Sequence, residues 1–69
     1  MKISEEQIKV YEGKILKVIL ENGNTLRGRF IEPVIKDGST SVVIQSNTYT
    51  FQIDQEDIKD IEVIVENYW

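Results

Sequence analysis

The sequence predicts a mainly β domain: a short N-terminal helix, then five short antiparallel strands bent strongly enough to close as a small barrel. Three observations predict it. Apolar residues alternate with polar ones in several short runs, which is the strand period. Turn dipeptides, Asn22-Gly23, Asp37-Gly38 and Ser46-Asn47, punctuate those runs. A capped helix start at Ser4 and a glycine stop at Gly13 precede them all. Short bent antiparallel strands close into barrels because closure removes exposed edges.

The helix spans about residues 4–12. Ser4 is its N-cap, and Gln7 stands three residues on, the spacing of a capping box. Ile3 before the cap and Ile8 within the helix match a hydrophobic staple. Glu5 and Glu6 suit the positive end of the helix dipole. Gly13 supplies the left-handed residue that ends many helices. A helix this short is not stable alone, so it must lie across the sheet or its open end.

The first strand covers about residues 14–21, with Leu16, Val18 and Leu20 facing the core. Asn22-Gly23 suits a two-residue type I′ turn, which needs positive φ at both positions. The second strand covers about residues 25–32, with Leu26, Gly28 and Phe30 on one face. Glycine weakens a strand unless the backbone bends there or another segment comes close. Glu32 to Lys36 is ambiguous, because Pro33 marks an edge, a bulge or the end of pairing. After Asp37-Gly38, the third strand covers about 40–45, with Val42 and Ile44 on one face. Ser46-Asn47 turns the chain into a fourth strand, about 48–53, where Tyr49, Phe51 and Ile53 alternate with Thr48, Thr50 and Gln52. Asp54 to Asp57 reads as one polar helical turn. The fifth strand covers about 58–65, with Ile61, Val63 and Val65 facing one way and Asp60, Glu62 and Ile64 the other.

Sixty-nine residues make one domain, 1–69, near the lower limit for a core without staples. Oligomerisation is a usual remedy for so small a core. The chain has no Cys and no His. That removes disulfides, thiolates, imidazole metal sites and the commonest general base. No apolar run approaches the roughly eighteen residues of a membrane span. The opening MKISEEQIKV is too polar for a secretory signal peptide. The expectation is a soluble cytoplasmic protein without cofactor or metal, and not an enzyme.

The net charge is −4, unevenly spread. Residues 1–36 hold seven Lys or Arg against five Glu, while residues 37–69 hold one Lys against seven acids. Lys14, Lys17, Arg27 and Arg29 gather on the opening hairpin as a candidate nucleic-acid-binding face. Their plainer role is cross-strand pairing and solubility. Asp54, Glu56, Asp57 and Asp60 gather later; oxygen ligands suit hard cations, but the loop lacks the glycine and spacing of a Ca²⁺ loop, and a solvated turn explains it. Tyr49 and Phe51 alternate with polar residues, as core aromatics do. Tyr68 and Trp69 follow the last apolar repeat and suit either docking on a neighbour or packing back on the barrel.

The opening hairpin also resembles a known family. Leu20-Glu21-Asn22-Gly23, then four residues, then Gly28, is similar to the first motif of the Sm-like family. The layout of one helix and five bent strands, with a polar turn before the last, resembles the Sm-like fold, and the closely related SH3-like closure remains open. The resemblance implies a small barrel in which the fourth strand of one subunit pairs with the fifth of the next. It makes Tyr49, Phe51, Ile61, Val63, Tyr68 and Trp69 candidate interface residues of a homo-oligomer. The RNA-reading positions of the family are not matched. Pro33-Val34-Ile35 and Asp37-Gly38-Ser39 stand in the first motif's later half, and the acidic Asp54-Gln55-Glu56-Asp57 replaces the cationic second motif. Phosphates would be repelled there. The leading expectation is therefore a binding and assembly module acting by protein–protein contacts. RNA binding by an Sm-like ring, through the basic hairpin face, is the alternative.

Overall fold

A computed structural model describes residues 1–65, and the side chain of Val65 is outside that description. Helix α1 (Glu5–Tyr11) leads into five strands: β1 (Ile15–Leu20), β2 (Thr25–Lys36), β3 (Ser39–Gln45), β4 (Thr50–Asp54) and β5 (Ile58–Val65), with a 3-10 turn (Gln55–Asp57) before β5. The strands form one antiparallel sheet in the order β4-β3-β2-β1-β5. Among the described residues no pairing joins β4 to β5, so the sheet keeps two edges.

The helix forms as its ends dictate. Ser4 Oγ accepts from Gln7 N at 3.2 Å and Gln7 Oε1 accepts from Ser4 N at 2.8 Å, closing the capping box. Gly13 takes φ +74° just past the end. The Met1 amino group donates to the carbonyls of Gln55 and Ile58, each at 2.8 Å, which holds the N-terminal segment against the 3-10 turn. Tyr11 closes over the core, its ring centroid 6.1 Å from that of Phe30.

The first hairpin differs from its expected turn. Only Gly23 has positive φ there, at +92°. Gly23 N donates to Leu20 O, and Leu20 N to Asn24 O. This is a three-residue loop with glycine at its left-handed position, the next most common hairpin after the two-residue kind. A tertiary bond accounts for the change: Glu21 N donates to Asp57 O at 2.9 Å and draws the loop toward the 3-10 turn. Asp37 (φ +51°) and Gly38 (φ +78°) do form the two-residue turn, between Lys36 and Ser39.

Strand β2 runs on past its expected end at residue 32, through Pro33, to Lys36. A bulge at Ile31, between the pairs Phe30↔Ile44 and Glu32↔Val43, resets its register. Pro33 is tolerated because β1 pairs with β2 only as far as Arg29, so one side of β2 is already an edge there. Gly28 answers to a close approach. A Cβ there would stand 2.8 Å from Gln45 O and 2.9 Å from Gln45 C.

Strand β4 starts later than expected, at Thr50, because Ser46 closes a wider turn. Its Oγ accepts from Thr48 N and Tyr49 N, and its N donates to Tyr49 O. Tyr49 is therefore 65% exposed and not a core residue. Strand β5 carries two bulges against β1. The pairs Leu20↔Ile58 and Ile19↔Asp60 skip Lys59, and Leu16↔Val63 and Ile15↔Val65 skip Ile64. Ile58 and Ile61 both reach the core in consequence, three residues apart. Leu16, Val18, Val42, Ile44 and Ile58 are fully buried at its centre.

Two outcomes test this packing. Gly28→Ala should lower the unfolding free energy by about 1–3 kcal/mol, the usual cost of overpacking, and Gly28→Val by more, measured by urea denaturation. Burial raises the Tyr11 phenol above its ordinary value of 10; the charge of Asp60 adds to this, and a hydrogen bond with Gln7 opposes it. The folded chain thus holds the proton more tightly than the unfolded chain. The associated stability is complete below pH 10 and is lost as pH rises through the raised folded value. Tyr11→Phe should flatten the alkaline decline in unfolding free energy, relative to the parent chain measured in parallel.

Candidate functional site

The sheet sorts the basic residues by face. Leu16 and Val18 point to the core, so Lys17 between them points out. Lys17 stands directly opposite Arg27 on β2 and opposite Glu62 on β5. Arg29, two residues on, shares that outer face opposite Ile15. Like charges directly opposed are unfavourable, and Glu62 offsets part of that cost. Arg27 and Arg29 are exposed, while Lys17 is half-buried. Lys14 does not join them. It precedes β1 and its Nζ donates to Val10 O at 3.3 Å, where a cation meets the negative end of α1.

The acidic residues do not converge either. Among the described residues no three ligating side chains stand close enough to hold a metal ion. Asp54 accepts a hydrogen bond from the Ser41 hydroxyl, which satisfies a buried serine. Asp60 Oδ1 accepts from Ile61 N at 2.9 Å. Glu56 and Asp57 are exposed on the 3-10 turn. Asp54 thus braces β4 against β3, and Asp60 satisfies the next backbone N–H.

The interface candidates separate into three groups. Exposed Tyr49 and Phe51 form an aromatic pair beside the β4 edge, with ring centroids 6.0 Å apart. Phe51 is half-buried, with one side on the core. Ile61 is 9% exposed and belongs to the chain's own core, and Val63 packs against that core half-covered. Tyr68 and Trp69 lie outside the described residues.

Two shallow grooves border β4, and Gln52 lines both. One, about 430 Å³, runs between β4 and the tip of the first hairpin, with Leu20, Leu26 and Ile53 as its apolar wall. The other, about 380 Å³, lies toward the β2–β3 tip beside Val34, Lys36 and Asp54. Sequence reasoning gave Gln52 no role beyond its outward place in the alternation. Its position midway along an open edge depends on the strand order. Ile64 is exposed on the face of β5 where the alternation puts it, with Asp60 and Glu62.

No helix among the described residues is long and apolar enough to cross a membrane. No known family model matches the chain, and no match to it is found among curated proteins or among solved structures.

Proposed function

We propose that this chain is a non-enzymatic binding and assembly module that works by protein–protein contacts along its sheet edges and associates with copies of itself. The supporting observation is that a five-stranded antiparallel sheet ends in two strands, β4 and β5, with no partner on their outer sides among the described residues. Open edges present unpaired N–H and C=O groups that template further pairing. Exposed Tyr49 and the uncovered side of Phe51 beside β4 add apolar surface of the type enriched at interfaces. The resemblance of the first hairpin to the Sm-like family supports the same reading. It carries with it a small bent barrel whose fourth and fifth strands stay open for edge-to-edge assembly.

A second reading has one observation in its favour. Lys17 and Arg27 are opposed across the ladder with Arg29 on the same face, an arrangement that an anionic ligand would relieve. That ligand would be RNA bound by its phosphates, and the acidic second half of the chain opposes it.

Light scattering or sedimentation at tens of micromolar should give a mass above that of the 8.0 kDa chain; a monomer at that concentration overturns the assembly reading. For the second reading, oligo(U) and oligo(A) titrated at low salt should bind, and Arg27→Glu with Arg29→Glu should abolish binding while circular dichroism stays unchanged. Absence of binding at low salt, where phosphate contacts are strongest, removes RNA.

A further inference from the structure

The hydrogen-bond phase of β4 identifies which of its residues face outward. Ser46 N donates to Tyr49 O at 2.8 Å and Tyr49 N to Ser46 Oγ at 3.0 Å, so these two residues stand at a hydrogen-bonding position of the β3–β4 turn. Such pairs alternate with non-hydrogen-bonded ones along an antiparallel ladder. The register pairs Gln45 with Thr50, Ile44 with Phe51, Val43 with Gln52, Val42 with Ile53 and Ser41 with Asp54. By that alternation Phe51 and Ile53 bond toward β3. Thr50, Gln52 and Asp54 turn their backbone groups to the open edge. Any strand that joins β4 must bond to these three residues.

An antiparallel copy of β4 meets that demand in one register. With Gln52 opposite Gln52 of the second copy, Thr50 falls opposite Asp54, and Phe51 opposite Ile53. The outward backbone groups then face one another over the full strand. The side chains agree as well. No two carboxylates are opposed, the Thr50 hydroxyl meets an acceptor, and the half-buried Phe51 meets an apolar partner. Moving the centre by one residue in either direction shortens the overlap and leaves Asp54 or Thr50 without a partner. Among the described residues no strand pairs with the outer side of β4, and Gln52 is exposed between the two grooves.

Strand β5 is the poorer partner. Its bulges at Lys59 and Ile64 leave Asp60–Val63 as the regular run between them, and two of those residues are acidic. Pairing it with β4 adds carboxylates to an edge that already runs into Asp54, Glu56 and Asp57. Bulges also twist a strand away from edge pairing.

We propose that the chain forms a two-fold dimer by antiparallel pairing of β4 with β4 of a second copy, centred on Gln52. The dimer joins the two five-stranded sheets into one. The inference rests on the self-association reading but replaces head-to-tail edge pairing with an isologous contact.

The test uses the residue on the two-fold axis. Gln52 is exposed, so Gln52→Glu and Gln52→Lys should each keep the parent circular dichroism spectrum. Each places like charges opposite one another and should weaken dimerisation. An equimolar mixture of the two should form a heterodimer roughly tenfold tighter than either variant alone, given the cross-strand charge energies expected, as read by sedimentation. Gln52→Cys, in a chain with no other cysteine, should give a disulfide-linked dimer on mild oxidation, since opposed strand residues lie within disulfide reach. Thr50→Cys, which faces Asp54, should give far less. A parent dimer with this pattern supports the proposal. A parent mass of three or more subunits, or a mixture no tighter than the separate variants, overturns it while leaving self-association standing. A monomeric parent overturns both.

Discussion

The approach of Gln45 to Gly28 is the constraint on which the fold depends. Strand β2 is central, pairing with β1 over its first half and with β3 over its second. Where the two halves meet, the end of β3 runs against its backbone with no room for a Cβ at Gly28. The bulge at Ile31, just beyond, bends the strand. With β2 bent, Phe30 meets Ile44 and Tyr11, and Leu16 and Val18 face Val42 and Ile58 across one small core. A straight β2 would spread that core over a flat sheet, and α1 could not cover it.

The strands and the helix were legible because local chemistry and tertiary packing agreed. Ser4 and Gln7 form the capping box their spacing implies, and Asp37-Gly38 forms its two-residue turn, both central residues taking positive φ. Where a distant group intervened, local signals misled. Asn22-Gly23 carries the strongest short-range hairpin signal, yet Asp57, far along the chain, claims the Glu21 N–H and widens the loop. Tyr49 fitted the core alternation of its strand, but Ser46 holds it in the turn and leaves it exposed. The bulges of β5 were invisible for a related reason. Lys59 and Ile64 look like ordinary members of an alternating run, and only the register with β1 displaces them.

The candidate surfaces were less legible than the fold. Charge counting placed four cations together, and alternation put Lys17, Arg27 and Arg29 on one face, but Lys14 belongs to the helix end. Edges are defined by strand order, which no local pattern states. The two edges are treated differently. Strand β5 carries bulges and alternating charge, both common protections against unwanted pairing. Strand β4 is short but has neither proline nor lysine, and its central residue is an uncharged amide.

That asymmetry bears on energetics. Water satisfies an exposed edge, so new backbone bonds there add only a modest net gain. Most of the driving force must come from apolar surface, and beside β4 that surface is the uncovered side of Phe51 together with Tyr49. A contact of this extent is small beside standard interfaces, so association through it would be concentration-dependent. For a chain whose core is this small, the coupling runs in both directions. A partner that binds only the folded edge would stabilise the fold by mass action. Strand β3, which packs against Gly28 at one end and pairs with β4 along its length, would then couple folding to any association through that edge.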